Sequence, residues 1–173
     1  CDVSGPLMHF LGKNTGFKTY KKYQKMLEEV SLDGVLICVP NSMHFDIAAQ
    51  CIEKGIHVFI EKPLTLSLAE SEKLCELALK HDVKGQVGYV NRFNPVFQRV
   101  KKLLERDVVG NVVSYVNRMI GNVITKENSK GWRNDYSKGG GCMFDYGPHC
   151  FDLSTYFFRT DVRVDSAFLT SVY

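Results

Sequence analysis

Three short apolar runs, each ended by turn residues and separated by helix-length segments, constrain this chain more than any other feature. The first, Asp33-Gly-Val-Leu-Ile-Cys-Val39, is continuous rather than alternating, the pattern of a strand covered on both faces. It stops at Pro40-Asn41, and residues 42–54 read as a helix with Gly55 as its stop. His57-Val-Phe-Ile60 is the second run, ended by Glu61-Lys62-Pro63. A helix over 67–81 follows, opened by Ser67 and Glu70 at capping-box spacing, and residues 84–88 make a weaker third strand. Strands alternating with helices in this way define βαβ units and a parallel sheet, whose ligands lie beyond the carboxyl ends of the strands.

The flanks fit less neatly. Residues 1–3 read as a strand's end running into a helix that Ser4 caps, with Pro6 in its first turn. A domain rarely begins at a strand's last residue, so a natural amino-terminal portion is expected upstream. A short strand at 17–19 and a helix over 20–30 follow, the latter striped by Tyr23, Met26, Leu27 and Val30. Beyond residue 90 the pattern changes to a helix over 95–106 and a long strand over 111–120. A polar loop over 121–138 leads to a helix ending near 158, and an alternating strand covers 162–173. Boundaries of 1–90 and 91–173 are therefore expected for two partial domains, the second an incomplete α+β unit.

Composition narrows the partners. The chain has 173 residues, 45% of them hydrophobic and 24% charged, enough to bury a sizeable core. A net charge of +3 is too small and too evenly spread to imply a nucleic-acid partner. The densest basic cluster, Lys18, Lys21, Lys22 and Lys25, reads as a solvated helix face. No apolar run approaches the roughly 20 residues of a membrane span. The six cysteines sit in apolar segments without a CxxC pair, so buried free thiols and a cytoplasmic setting are expected. The spacing of Cys142, His149 and Cys150 matches no common zinc arrangement, and no metal is expected.

One stretch carries chemistry. Gly139-Gly-Gly-Cys-Met-Phe-Asp-Tyr-Gly-Pro-His149 sets Asp145 and His149 about one helical turn apart, with Pro148 between them expected to kink the helix. In order along the chain, Asp33 to His44, Glu61-Lys62-Pro63 and Gly139 to His149 resemble the Gfo/Idh/MocA family of nicotinamide-dependent oxidoreductases. That resemblance implies a Rossmann-type sheet, here without its first βα unit, followed by the start of a substrate-binding and oligomerisation domain. It implies hydride transfer between NAD and a secondary alcohol of a sugar, inositol or nucleotide-sugar, and a homo-oligomer in the full-length protein. The alternative is a non-catalytic or truncated member that binds ligands or regulates.

By the same resemblance, Lys62, Asp145 and His149 are the catalytic candidates. His149 would be the general base, with Asp145 binding the substrate hydroxyl or orienting the other two. Asp2, Pro40, Asn41, His44, Glu61 and Lys62 would lie along the cofactor. Asp2 in that role favours NAD over NADP, because a carboxylate repels a 2′-phosphate. Taken as residues alone, Asp2 reads equally as a turn or cap residue, and 40–44 as a plain strand-to-helix turn with Ser42 capping and His44 solvated. Asn91, Arg92, Trp132 and Arg133 are the substrate-side candidates, the last two able to stack on a sugar and fork to an anion or simply to anchor a loop. Asp152 is expected to be structural. No GxGxxG phosphate loop occurs in these residues.

Overall fold

The computed structural model describes residues 1–120, 131–160 and 163–168. Helix α1 (Gly5–Thr15) starts at Ser4, whose hydroxyl accepts from the Leu7 N–H at 3.4 Å, with Pro6 in the first turn. Helix α2 (Tyr23–Glu29) leads into a three-stranded sheet of β1 (Gly34–Ile37), β2 (His57–Ile60) and β3 (Gly85–Val87). The strands lie in the order β1-β2-β3, all parallel, with Gly34 opposite His57 and Val58 opposite Gly85. Helix α3 (His44–Glu53) joins β1 to β2, and α4 (Leu68–Lys80) joins β2 to β3. Ser67 caps α4, accepting from the Glu70 N–H at 3.3 Å, as its capping-box spacing predicts.

The core sits on one side of the sheet. Val35 and Ile37 of β1 and Val58 and Ile60 of β2 point the same way, by the period-two rule, onto Ile47, Ala48, Cys51 and Ile52 of α3 and Leu74 of α4. Each large aliphatic side chain so buried contributes about 1.5–3 kcal/mol. The opposite face is open, with Leu36 75% exposed in a shallow depression that also involves Phe59 and Gln86. The expectation that β1 is covered on both faces is therefore corrected. A continuous apolar run reports two apolar faces without saying that the described residues cover both.

Helix α5 (Pro95–Glu105), capped by Asn94, packs on the later helix α7 (Gly147–Phe158), with Phe97 and Phe157 edge to face at 6.1 Å. The short helix α6 (Cys142–Asp145) precedes α7 directly. Four polar ties join residues 41–101 to residues 139–156: Asn41 to Gly139, Lys62 to Asp145, Arg92 to Asp152, and Lys101 to the backbone oxygen of Tyr156. Both partners advance along the sequence from one tie to the next.

Several expected elements are absent from the described residues. Residues 17–19 form no strand; just beyond them the Tyr20 carbonyl accepts from the Asp2 N–H at 3.1 Å. Residues 111–120 form none either: alternation becomes a strand only where a neighbour takes up its backbone groups. The expected strand over 162–173 falls partly outside the described residues, as do positions 121–130 of the polar loop. All six cysteines are free, but only Cys51 is buried, while Cys1, Cys38, Cys75 and Cys142 are exposed. At Cys38 the open sheet face explains the difference. No described helix is long and apolar enough to cross a membrane.

Candidate active site

The carboxyl ends of β1, β2 and β3 lie side by side, so the turns after Ile37, Ile60 and Val87 form one edge. After β2 comes Glu61-Lys62-Pro63, with a cis bond between Lys62 and Pro63. The Lys62 ammonium reaches across to the start of the second half. Its Nζ donates to the Asp145 backbone oxygen at 2.6 Å and to Asp145 Oδ1 at 2.8 Å. Both side chains are largely enclosed. On the other carboxylate oxygen, Arg133 Nε donates to Oδ2 at 3.3 Å.

Burial would push the Asp145 carboxyl up, but the hydrogen bond and charge of Lys62, with the charge of Arg133, outweigh it and hold the group below its ordinary value. Asp145 is thus an ionised anchor between two cations. Its two carboxylate oxygens are thereby taken by Lys62 and Arg133.

The glycine run is what lets Asp145 arrive there. Gly139 has φ 77° and Gly141 φ 93°, conformations that side chains disfavour. A Cβ on Gly140 would run into the Arg133 carbonyl and lie 2.6 Å from the Trp132 oxygen. Trp132–Asn134 forms a single 3-10 turn whose Arg133 carbonyl accepts from the Gly141 N–H at 2.8 Å, so the loop and the glycines fix each other.

Asp145 and His149 do not share one kinked helix. The chain breaks at Tyr146, and Pro148 sits in the first turn of α7, where its missing N–H is harmless. His149 lines the same cavity of about 310 Å³ as Lys62, Asp145, Asn91, Arg133, Tyr146, Val90 and Met119. Its Nδ1 is buried and has no hydrogen-bond partner among the described residues. Burial and the nearby Lys62 charge both lower its pKa, against weaker pulls from Asp152, Asp145 and Glu61, so the ring is neutral near pH 7.

Other candidates lie elsewhere. His44 is fully buried, its Nδ1 at 2.8 Å from the Pro63 oxygen and its Nε2 at 3.0 Å from the Val39 oxygen. It ties the strand-end turns together and does not face a cofactor, which corrects its assignment to that surface and the solvated alternative alike. Asn41 is also buried, its amide donating to the Gly139 oxygen at 2.8 Å. That side chain braces the glycine run rather than presenting a donor to a ligand. Ser42 caps nothing: it lies within a 3-10 turn, Asn41–Met43, that runs into α3.

Asp2 is exposed, and its Oδ1 accepts from the Ser4 N–H at 2.7 Å, the geometry of its turn reading. Glu61 accepts from the Lys62 N–H at 3.2 Å and lies against Gly88. Arg92 is not a cavity residue. It grips the buried Asp152 through Nε at 2.9 and 3.0 Å and Nη2 at 2.5 Å, which corrects its substrate-side assignment. Trp132 stacks under Arg133 at 4.7 Å and does not line the cavity. Sequence reasoning missed the Arg133–Asp145 contact and the place of Tyr146, because neither spacing nor residue type distinguishes them before the chain is folded.

A lysine, a carboxylate and an imidazole thus gather at the carboxyl edge of a parallel sheet, where open α/β sheets bind their ligands. Two family descriptions match the chain, an oxidoreductase family with an NAD-binding Rossmann fold over residues 2–89 and the GFO/IDH/MocA C-terminal domain over residues 97–173. The chain belongs to the Gfo/Idh/MocA family. It is 31% identical over 147 residues to the myo-inositol 2-dehydrogenase of Thermotoga maritima, covering 84% of this chain and 42% of that one. It is 29% identical over 138 residues to the scyllo-inositol 2-dehydrogenase (NAD(+)) of Bacillus subtilis, covering 80% of this chain and 39% of that one. An NAD-binding protein from Listeria innocua superposes with a TM-score of 0.74 at 26% identity, over 96% of this chain and 45% of that one. The chain thus spans about two fifths of the length of these curated relatives.

Proposed function

We propose that this chain carries the catalytic edge of an NAD-dependent dehydrogenase that oxidises a secondary alcohol of a sugar or polyol. The observation that supports this most is the convergence of Lys62, anchored on Asp145, and the unpaired His149 on one cavity at the sheet's carboxyl edge. The inositol dehydrogenases among its relatives favour a polyhydroxylated substrate.

The unpaired imidazole beside an ammonium donor fits an alcohol and the nicotinamide end of the cofactor. Pro40, Glu61 and Lys62 are the residues that would flank that end, and when bound the nicotinamide is the hydride acceptor. None of the residues present supplies a GxGxxG cradle for the pyrophosphate. An ammonium has three protons, and two of those on Lys62 are given to Asp145. The third can donate to the substrate oxygen, holding it and stabilising negative charge as the hydroxyl proton leaves. His149, neutral and lining the same cavity, takes that proton. Asp145 keeps Lys62 aimed. We further propose that the chain divides near residue 90 into cofactor-side and substrate-side units.

Titration with NADH, followed by nicotinamide fluorescence, and turnover of a polyol panel with NAD test the reading. Lys62→Ala and His149→Ala are expected to lower turnover by about 10²–10⁴-fold while leaving cofactor binding intact. Unchanged rates in both variants would remove the assigned roles.

A further inference from the structure

Arg133 has more donors than the described residues use. Its Nε is committed to Asp145 Oδ2, its guanidinium stacks on Trp132 at 4.7 Å, and its own carbonyl is fixed by the Gly141 N–H. The two terminal nitrogens, Nη1 and Nη2, have no partner among the described residues, and the side chain lines the cavity that holds Lys62 and His149. This is a fork already held in place, so little freedom is lost when something binds it.

The charges of the cavity point the same way. Among its described lining residues Lys62 and Asp145 cancel and His149 is unpaired, leaving one unmatched positive group. The neighbouring acids are occupied: Asp152 is gripped by Arg92, and Glu61 takes the Lys62 N–H and lies outside the lining. Two parallel N–H groups at the end of a guanidinium match an acceptor with two oxygens on one centre, a carboxylate or a phosphate. A lone hydroxyl would satisfy only one of them.

We infer that Arg133 is a specificity-determining residue and that the site prefers a sugar bearing an anionic group, a carboxylate or a phosphate, over a neutral polyol. This rests on the sugar-dehydrogenase reading above and adds a substrate class to it.

Calorimetric titration of the 173-residue chain tests it without turnover, using D-glucuronate, D-glucose 6-phosphate, D-glucose and myo-inositol at low and high salt. At least one anionic sugar is expected to bind about tenfold more tightly than the neutral pair, an advantage that shrinks with added salt. The carboxylate and phosphate arms tell which anion fits. Arg133→Gln should bring all four ligands within about twofold, and Arg133→Lys, which keeps the charge but not the fork, should restore part of the difference. Circular dichroism checks that both variants are folded. Neutral and anionic sugars binding alike to the wild type, or a preference that survives Arg133→Gln, would overturn the inference and leave the dehydrogenase reading standing. Absence of binding by all four sugars would overturn both.

Discussion

Lys62 and Asp145, 83 positions apart, meet through two bonds from one ammonium, to the backbone oxygen at 2.6 Å and to Oδ1 at 2.8 Å. One of these survives any change of the Asp145 side chain and the other does not. Asp145→Asn should therefore leave Lys62 in place but less firmly aimed, with the charge balance of the cavity shifted by one. Turnover is expected to fall about 10²-fold with NADH affinity changed less than about threefold, measured by steady-state kinetics and fluorescence titration.

The half-buried His149, whose Nδ1 has no hydrogen-bond partner among the described residues, sets a pH dependence with a definite sign. Its folded pKa lies below the ordinary histidine value of 6.5, so the unfolded chain binds a proton that the folded chain refuses. Its contribution to stability is full above pH 6.5 and is lost as pH falls through the folded value. Asp145, also lowered, acts in the same direction at more acid pH, below the ordinary 3.8. Denaturant midpoints should fall with pH below about 7, and His149→Gln should remove the first phase only. The acid limb of kcat/KM should have its half-point below pH 6.5 for the same reason.

The Arg92–Asp152 pair is asymmetric, with the arginine side chain 44% exposed and the aspartate 4%. Removing the arginine strands a buried carboxylate, while removing the aspartate leaves a guanidinium that water can reach. Arg92→Met should therefore cost about 3 kcal/mol and Asp152→Asn closer to 1. Urea denaturation at pH 7 checks the order, and a reversed order would contradict the burial argument.

Gly140→Ala should be more damaging than Gly139→Ala. At Gly140 the obstacle is the backbone of Trp132 and Arg133, which cannot swing aside, while at Gly139 the crowding comes from the Leu66 and Asn41 side chains at a strained φ of 77°. A loss of about 2 kcal/mol or more is expected for Gly140→Ala, measured by thermal and urea unfolding.

What the sequence made legible followed local rules. The three strands and the caps at Ser4 and Ser67 each depend on a few adjacent residues, and the folded chain shows them. The strands expected at 17–19 and 111–120 depended on partners, which no local pattern specifies. His44 and Arg92 were misassigned for a related reason. A polar residue near a strand end looks the same whether it faces a ligand or satisfies a buried carbonyl or carboxylate, and only the fold distinguishes them. Asp145 and Lys62 were found as candidates, yet their direct contact and the second grip by Arg133 came from tertiary packing.

The four ties have sequence separations of 55, 60, 83 and 98. They are staggered: from Lys101 back to Asn41 the partners also step back, from Tyr156 to Gly139. Loop-closure entropy depends on the logarithm of loop length, and a tie already made shortens the path its neighbour must close. With Lys101 on Tyr156, Arg92 and Asp152 need only a short further stretch to meet, and so on back to Asn41 and Gly139. The Lys62–Asp145 pair is the third tooth of this zipper. Substitutions at Lys101 and Arg92 should slow closing, and those at Asn41 should chiefly speed opening, a split that stopped-flow refolding reads directly. Lys62 and Asp145 would then meet late, and the edge they share would be among the last parts of the molecule to set.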